Sequence, residues 1–191
     1  MSTLANIPTY ILCGGKSSRM GSDKGLVKLQ GRMFIDHIIN SLKSISNSIY
    51  LVTSNEEYSD FGYVLLQDNY LNKGPLGGIQ TALSHTSCKQ VLILSCDIPL
   101  ITGDTLQRLL DRKKADALIA FAIAQEKWHP LVGIYSKRLL PAVENALENE
   151  HLKLIDFIKK HPYQKIEIED HKSLTNINTP EELKQLEQII L

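Results

Sequence analysis

Residues Tyr10–Gly25 read YILCGGKSSRMGSDKG. Tyr10–Leu12, with Ile7 just before, is a short apolar run that predicts a first β-strand, and the glycines after it end that strand. Gly14 and Gly15 lack a Cβ, so their backbone N–H groups can come close to a phosphate. Arg19 and Lys24 put two cations in the same loop, and Gly21 permits a turn between them. Arginine suits a forked contact to phosphate oxygens, while lysine suits a point contact. Two familiar loops are excluded. Gly15-Lys16-Ser17 resembles the end of a P-loop, but Tyr10 stands where that motif needs its first glycine. The three-glycine dinucleotide fingerprint is also missing.

Outward from this loop, short apolar runs alternate with helical patterns. Strands are predicted at Ser48–Thr53, Tyr63–Leu66, Val91–Leu94, Ala117–Ala124, Leu131–Tyr135 and Lys165–Ile168. Helices are predicted over Phe34–Ile45, Pro75–His85, Thr102–Arg112, Lys137–Glu148 and Leu152–Lys160. Phe34, Ile35, Ile38, Ile39 and Leu42 repeat at helical spacing, and proline at position 75 suits a first helical turn. A last helix opens at Thr179-Pro180-Glu181-Glu182, with threonine as cap and acids in the first turn. Such alternation means βαβ units: an α/β fold with a mostly parallel sheet and helices on both faces. Ligands in such sheets bind beyond the carboxyl ends of the strands.

The bulk properties agree. The 191 residues suit one domain spanning 1–191. Lys plus Arg and Asp plus Glu both number 21, and this zero balance argues against non-specific nucleic-acid binding. Any anion site must be a local cluster of cations. Cys13, Cys88 and Cys96 are odd in number and form no C-x-x-C pair, which argues against a disulfide framework and fits a reducing compartment. No apolar run approaches a membrane span and no leader pattern stands at the N-terminus, so a cytoplasmic protein without membrane association is expected.

Four more places carry candidate chemistry. Asp97, in LILSCDIPLIT, follows a buried strand and precedes a helix, where a carboxylate could hold Mg²⁺ against triphosphate oxygens. Thr102 is the better cap for that helix, which leaves Asp97 free for a ligand. Asp68 also follows a strand end and could bind metal, orient a ribose or base through its acceptor oxygens, or form a turn. The neighbouring Gly74-Pro75-Leu76-Gly77-Gly78 suggests backbone close to a flat ligand or, alternatively, tight helix–sheet packing. Asn176 and Asn178 alternate in an extended segment, so their amides point the same way, toward an acceptor or as caps of the last helix. His129, beside Trp128 and Pro130, is a candidate for the acceptor side; Cys96 reads as a small buried apolar residue. The other histidines form no metal-site spacing.

Taken together, Leu12-Cys13-Gly14-Gly15, Arg19-Met20-Gly21, Asp23-Lys24-Gly25, Gly74-Pro75-Leu76, Cys96-Asp97-Ile98-Pro99, His129-Pro130 and Asn176-Ile177-Asn178-Thr179-Pro180-Glu181 resemble the molybdenum cofactor guanylyltransferases of the nucleotidyltransferase superfamily. The resemblance runs from Ile11 to Leu183. It implies a Rossmann-like three-layer αβα sandwich and transfer of GMP from GTP to molybdopterin cofactor, with Mg²⁺ and release of pyrophosphate. On that resemblance Leu12, Cys13, Gly14 and Gly15 contact the nucleotide, Lys24 its phosphates, and Asp68 the nucleotide again. Asp97 holds nucleotide and metal, Arg19 helps catalysis with Lys24, and Asn176, Asn178 and His129 lie by the acceptor. Lys153 stands nearest to an arginine expected in the acceptor region, and it gives up the forked contact. Gly14 favours GTP over CTP. Thr53 and Ser54 occupy a region where many relatives have asparagine. Alternative readings are a CTP-dependent cofactor cytidylyltransferase and a non-catalytic module that binds GTP and delivers cofactor. Molybdoenzyme maturation proteins are the partners such an enzyme would serve.

Overall fold

The computed structural model describes residues 7–14 and 23–190. Gly15 and Arg19, both expected in the site, lie outside the described residues.

The first strand, β1 (Thr9–Leu12), sits inside the sheet and is buried along its whole length. A short hairpin follows, β2 (Lys28–Leu29) and β3 (Arg32–Met33), turned by Gln30 and Gly31 at positive φ. Two-residue strands carry no periodicity, so the sequence pattern does not reveal it. Then come α1 (Phe34–Leu42), β4 (Ile49–Val52), β5 (Val64–Leu66), α2 (Pro75–His85), β6 (Gln90–Ser95) and α3 (Gly103–Arg112). The second half adds β7 (Ile119–Ala124), β8 (Lys127–Ser136), α4 (Leu140–Glu148), α5 (Leu154–Lys159), β9 (Tyr163–Glu167) and α6 (Pro180–Ile190). The predicted helix at Pro75 starts on that residue. Thr102 caps α3 as expected: its hydroxyl accepts from the Thr105 N–H at 3.2 Å. Thr179 and Glu182 form a reciprocal capping box at α6, with bonds of 3.2 and 3.3 Å.

Seven strands form one sheet in the order β5-β4-β1-β6-β8-β7-β9. All neighbours are parallel except at β8, which runs antiparallel to both β6 and β7. β8 is longer than predicted and contains an irregularity. Phe121 pairs with Gly133, but Ala122 pairs with His129, so Pro130, Leu131 and Val132 bulge away from β7. Gly133 makes this fold-back possible, since a Cβ there would stand 2.9 Å from the Pro130 carbonyl oxygen. The bulge moves Leu131 to the carboxyl edge of β6.

Strand side chains alternate, and the alternation splits the interior in two. One face of the sheet, including Ile11, Leu51, Leu92, Leu94 and Ile134, packs on α1 and α3. The other, including Tyr10, Leu12, Ile93, Phe121 and Tyr135, packs on α2, α4 and α5. Leu183 and Leu186 of α6 lean on a third cluster built from Leu29, Phe34 and Ile177. This is the expected three-layer arrangement. Among the described residues no helix is long and apolar enough to cross a membrane.

Candidate active site

β1, β4, β5 and β6 all end at the same edge, and so do the loops that carry the candidate residues. β1 and β6 are in register with Leu12 opposite Ser95. The Cys96 N–H extends the ladder by one rung to the Leu12 carbonyl. Asp97 therefore leaves the sheet beside the end of β1, at Cys13 and Gly14.

Asp97 is the hub. Its Oδ1 accepts from the Ser95 hydroxyl at 2.7 Å and from the Asn176 amide at 2.9 Å. Its Oδ2 lies 3.5 Å from the Lys24 ammonium, which also donates to Asn178 Oδ1 at 2.5 Å. Residues from three distant parts of the chain thus meet at one carboxyl. Asn176 and Asn178 face the same way, as their alternate spacing implies. The Ile177 N–H, donating 2.9 Å to the Asp97 carbonyl, anchors the strand-like segment between them. The Asn178 N–H donates to Glu182 at 2.6 Å, which ties that segment to α6. Ser95 carries no motif of its own; its position two residues before Asp97 on a strand end is the signal that marks it.

His129 lies on β8, buried, next to this cluster. Burial first, and then Lys127, push its imidazole below the ordinary histidine value, while Asp97 and Asn176 pull the other way. The ring is therefore uncharged at neutral pH.

On the side of β4 and β5 the edge opens into a cleft of about 700 Å³. Leu12, Gly14, Thr53, Ser54, Asp68 and Gly74 are among its lining residues. Asp68 Oδ1 is buried and has no hydrogen-bond partner among the described residues. Burial raises its carboxyl above the ordinary aspartate value, and the Thr81 hydroxyl offsets part of that. Gly14 lies opposite, where a Cβ would come within 3.9 Å of Asp68 Oδ2. Gly77 and Gly78 answer to the protein's own packing. A Cβ on Gly78 would strike Leu12 at 2.9 Å, and one on Gly77 the Tyr70 carbonyl at 2.8 Å. The neighbouring Asn55 is already engaged. Its side chain accepts from the Glu57 N–H at 3.0 Å, capping the turn Glu56–Phe61.

The structure brings together Leu12, Gly14, Lys24, Asp68, Asp97, His129, Asn176 and Asn178 along one sheet edge. Cys13 is buried just beneath it. Lys153 is placed elsewhere, in a groove of about 430 Å³ between α4 and α5 that shares no lining residue with the cleft.

A parallel sheet whose carboxyl edge pairs one carboxyl and one lysine beside a nucleotide-sized cleft is the arrangement of a nucleotidyltransferase. The chain belongs to the MobA-like NTP transferase domain family, whose model matches residues 9–165. A protein of Flavobacterium johnsoniae, named probable molybdenum cofactor guanylyltransferase, is 47% identical over 185 residues, 96% of this chain and 97% of its own length. A molybdenum cofactor guanylyltransferase of Photobacterium profundum is 35% identical over 184 residues, 94% of this chain and 95% of its own. The crystal structure of molybdopterin-guanine dinucleotide biosynthesis protein A from Archaeoglobus fulgidus superposes with a TM-score of 0.82, covering 96% of this chain and 98% of that one. At 22% identity that likeness speaks for the fold alone. Nucleotidyltransferases generally work with a divalent metal.

Proposed function

We propose that this chain transfers GMP from GTP to molybdopterin cofactor, forming the guanine dinucleotide and pyrophosphate, as one domain over residues 1–191 in the cytoplasm. The observation that carries the reading is the meeting of Lys24, Asp97, Asn176 and Asn178 at one point of the sheet edge. The names of relatives 47% and 35% identical along almost the whole chain supply the donor and acceptor.

GTP fits the cleft by chemistry. Guanine offers N–H donors on its Watson–Crick edge, and the buried Asp68 Oδ1 is an acceptor in need of them. Leu12 and Gly14 give the ring a flat wall. The triphosphate then runs along the edge toward Lys24 and Asp97; Gly15 and Arg19, which stand between Gly14 and Asp23 in the sequence, are proposed as further phosphate contacts. His129, Asn176 and Asn178 hold the acceptor's phosphate beside the α-phosphorus, and Lys153 serves the more distant acceptor surface. Attack occurs in line, and pyrophosphate leaves. No protein nucleophile is needed, because positioning and charge neutralisation suffice for this chemistry.

The donor set suits Mg²⁺. Among the described residues no cluster of three or more His, Cys, Asp and Glu could bind a metal. Mg²⁺ needs no such cage, since it is commonly held by one or two carboxylates, substrate phosphates and water. Asp97 would hold it, and the ion would neutralise charge on the triphosphate. The Ser95 hydroxyl and the Asn176 amide fix the Asp97 carboxyl in orientation, and uncharged His129 adds no competing cation.

The test is pyrophosphate release with Mg²⁺ and each of the four NTPs, with and without molybdopterin cofactor. Release that needs both GTP and cofactor is the expected result. Release with CTP instead would make the protein a cytidylyltransferase. Tight GTP binding without any release would make it a delivery module for molybdoenzyme maturation.

A further inference from the structure

We infer that Tyr58 is a positioning residue, whose hydroxyl holds the Asp23-Lys24-Gly25 turn so that the Lys24 ammonium reaches the triphosphate. The inference rests on the role proposed above for Lys24.

Lys24 opens a 3-10 turn of only three residues, Lys24–Leu26. So short a turn has little stability of its own. Its Nζ must nevertheless be placed accurately, at 2.5 Å from Asn178 Oδ1 and 3.5 Å from Asp97 Oδ2. Asp23 is the cap of this turn, its Oδ1 accepting from the Gly25 N–H at 3.3 Å. That same oxygen accepts from the Tyr58 hydroxyl at 2.5 Å.

Tyr58 lies 35 residues away, in the turn after β4, and is wholly buried in the apolar cluster that includes Cys13 and Cys96. A buried tyrosine needs a partner for its hydroxyl. This one aims it out of the core at the single residue that caps the lysine turn. Burial, and then the two cysteines, drive the phenol far above its ordinary pKa. The hydroxyl therefore stays a donor at any working pH and cannot act as a base. Gly25 completes the fit. A Cβ there would stand 2.3 Å from the Tyr58 hydroxyl oxygen and 3.1 Å from the ring. The phenol end thus touches both sides of Lys24: by hydrogen bond to Asp23 and by close contact with Gly25. A core-filling tyrosine could meet its hydroxyl with any nearby acceptor; this one meets it at the cap of the lysine turn and packs against the glycine on the other side.

Tyr58→Phe keeps the ring and removes the strut. Steady-state turnover and direct GTP binding in Mg²⁺ are measured for the wild type, Tyr58→Phe, Lys24→Met and the double variant. Tyr58→Phe is expected to raise the Kd and KM for GTP about tenfold, as for loss of a hydrogen bond to an acidic group. In the Lys24→Met background the same change is expected to do nothing further to GTP binding, because Tyr58 acts through Lys24. A Tyr58→Phe protein with wild-type GTP binding, or one that loses the same factor in both backgrounds, overturns the inference. Lys24→Met with unchanged turnover would remove the proposed role of Lys24 and, separately, leave the strut with nothing to position. Gly25→Ala gives a second reading of the same contact. Its loss of GTP affinity is expected to shrink when Tyr58→Phe removes the atom the new methyl would strike, and losses that simply multiply would place Tyr58 elsewhere.

Discussion

Two carboxyls stand at the same edge of the sheet, and they are treated in opposite ways. Asp97 is surrounded: Ser95 and Asn176 bond one oxygen and Lys24 faces the other. Asp68, at the end of β5, has one oxygen buried without a partner among the described residues. A satisfied carboxyl is fixed in direction before any ligand arrives, which suits electrostatic work. An unsatisfied one is a cost that a ligand's donors can remove, which suits discrimination between ligands. The first belongs to the chemistry and the second to recognition.

The strongest way to break this contrast is Asp97→Asn. Turnover, read as pyrophosphate release at saturating GTP, should fall on the order of 10³-fold, with the fold intact by circular dichroism. Near-normal turnover would take Asp97 out of the reaction.

Asp68→Asn should behave differently. KM for GTP should rise by about 10- to 100-fold while kcat changes far less, because a buried hydrogen-bond acceptor has been spoiled. The same variant should melt higher than wild type. The sign follows from the raised carboxyl. A group whose folded pKa lies above its unfolded value favours the fold at low pH and opposes it once ionised. The gain in Tm should thus be full at neutral pH and fade as the pH falls into the ordinary aspartate range. A variant that melts lower at neutral pH would show that Asp68 is structural.

Gly14→Ala sharpens the recognition side. At 3.9 Å from Asp68 the new methyl meets only ordinary contact, so Tm should not move. GTP should nonetheless lose about tenfold in kcat/KM, since the methyl takes space beside the carboxyl. Unchanged kinetics would put the base elsewhere.

The smallest effect concerns His129. Its depressed pKa means the unfolded chain takes up a proton before the folded one does. Stability should decline as pH falls from the ordinary histidine value to the lower folded one. His129→Asn should flatten the curve of Tm against pH across the histidine range. An unaltered slope would assign the acid sensitivity to other groups.

Much of this was legible because its signals are local. Pro75 and Thr102 mark helix starts by chemistry of their own, and Asp68 and Asp97 follow apolar runs that could only be strands. Asn176 and Asn178 share a face through spacing alone. The missing parts are long-range or too short. Tyr58 reads as one more aromatic until the fold sets it against Asp23. Ser95 reads as the end of a strand until the fold brings Asn176 to the same oxygen of Asp97. The Gln30-Gly31 hairpin has two residues per strand, and the Pro130–Val132 bulge hides within what reads as a plain strand. Lys153 is placed by resemblance alone: it lines a groove between α4 and α5 that shares no lining residue with the cleft, although Lys73 of the cleft pairs with Glu150 of the groove.

The contact between Lys24 and Asn178 spans 154 residues. A domain generally folds as a unit, and the lysine and its amide partner cannot meet until residue 178 has emerged. The strands β1 and β6, whose ends lie side by side, are both made long before that. A chain cut short before Asn178 would carry the Lys24 ammonium and the Asp97 carboxyl without the amide that holds the lysine in place.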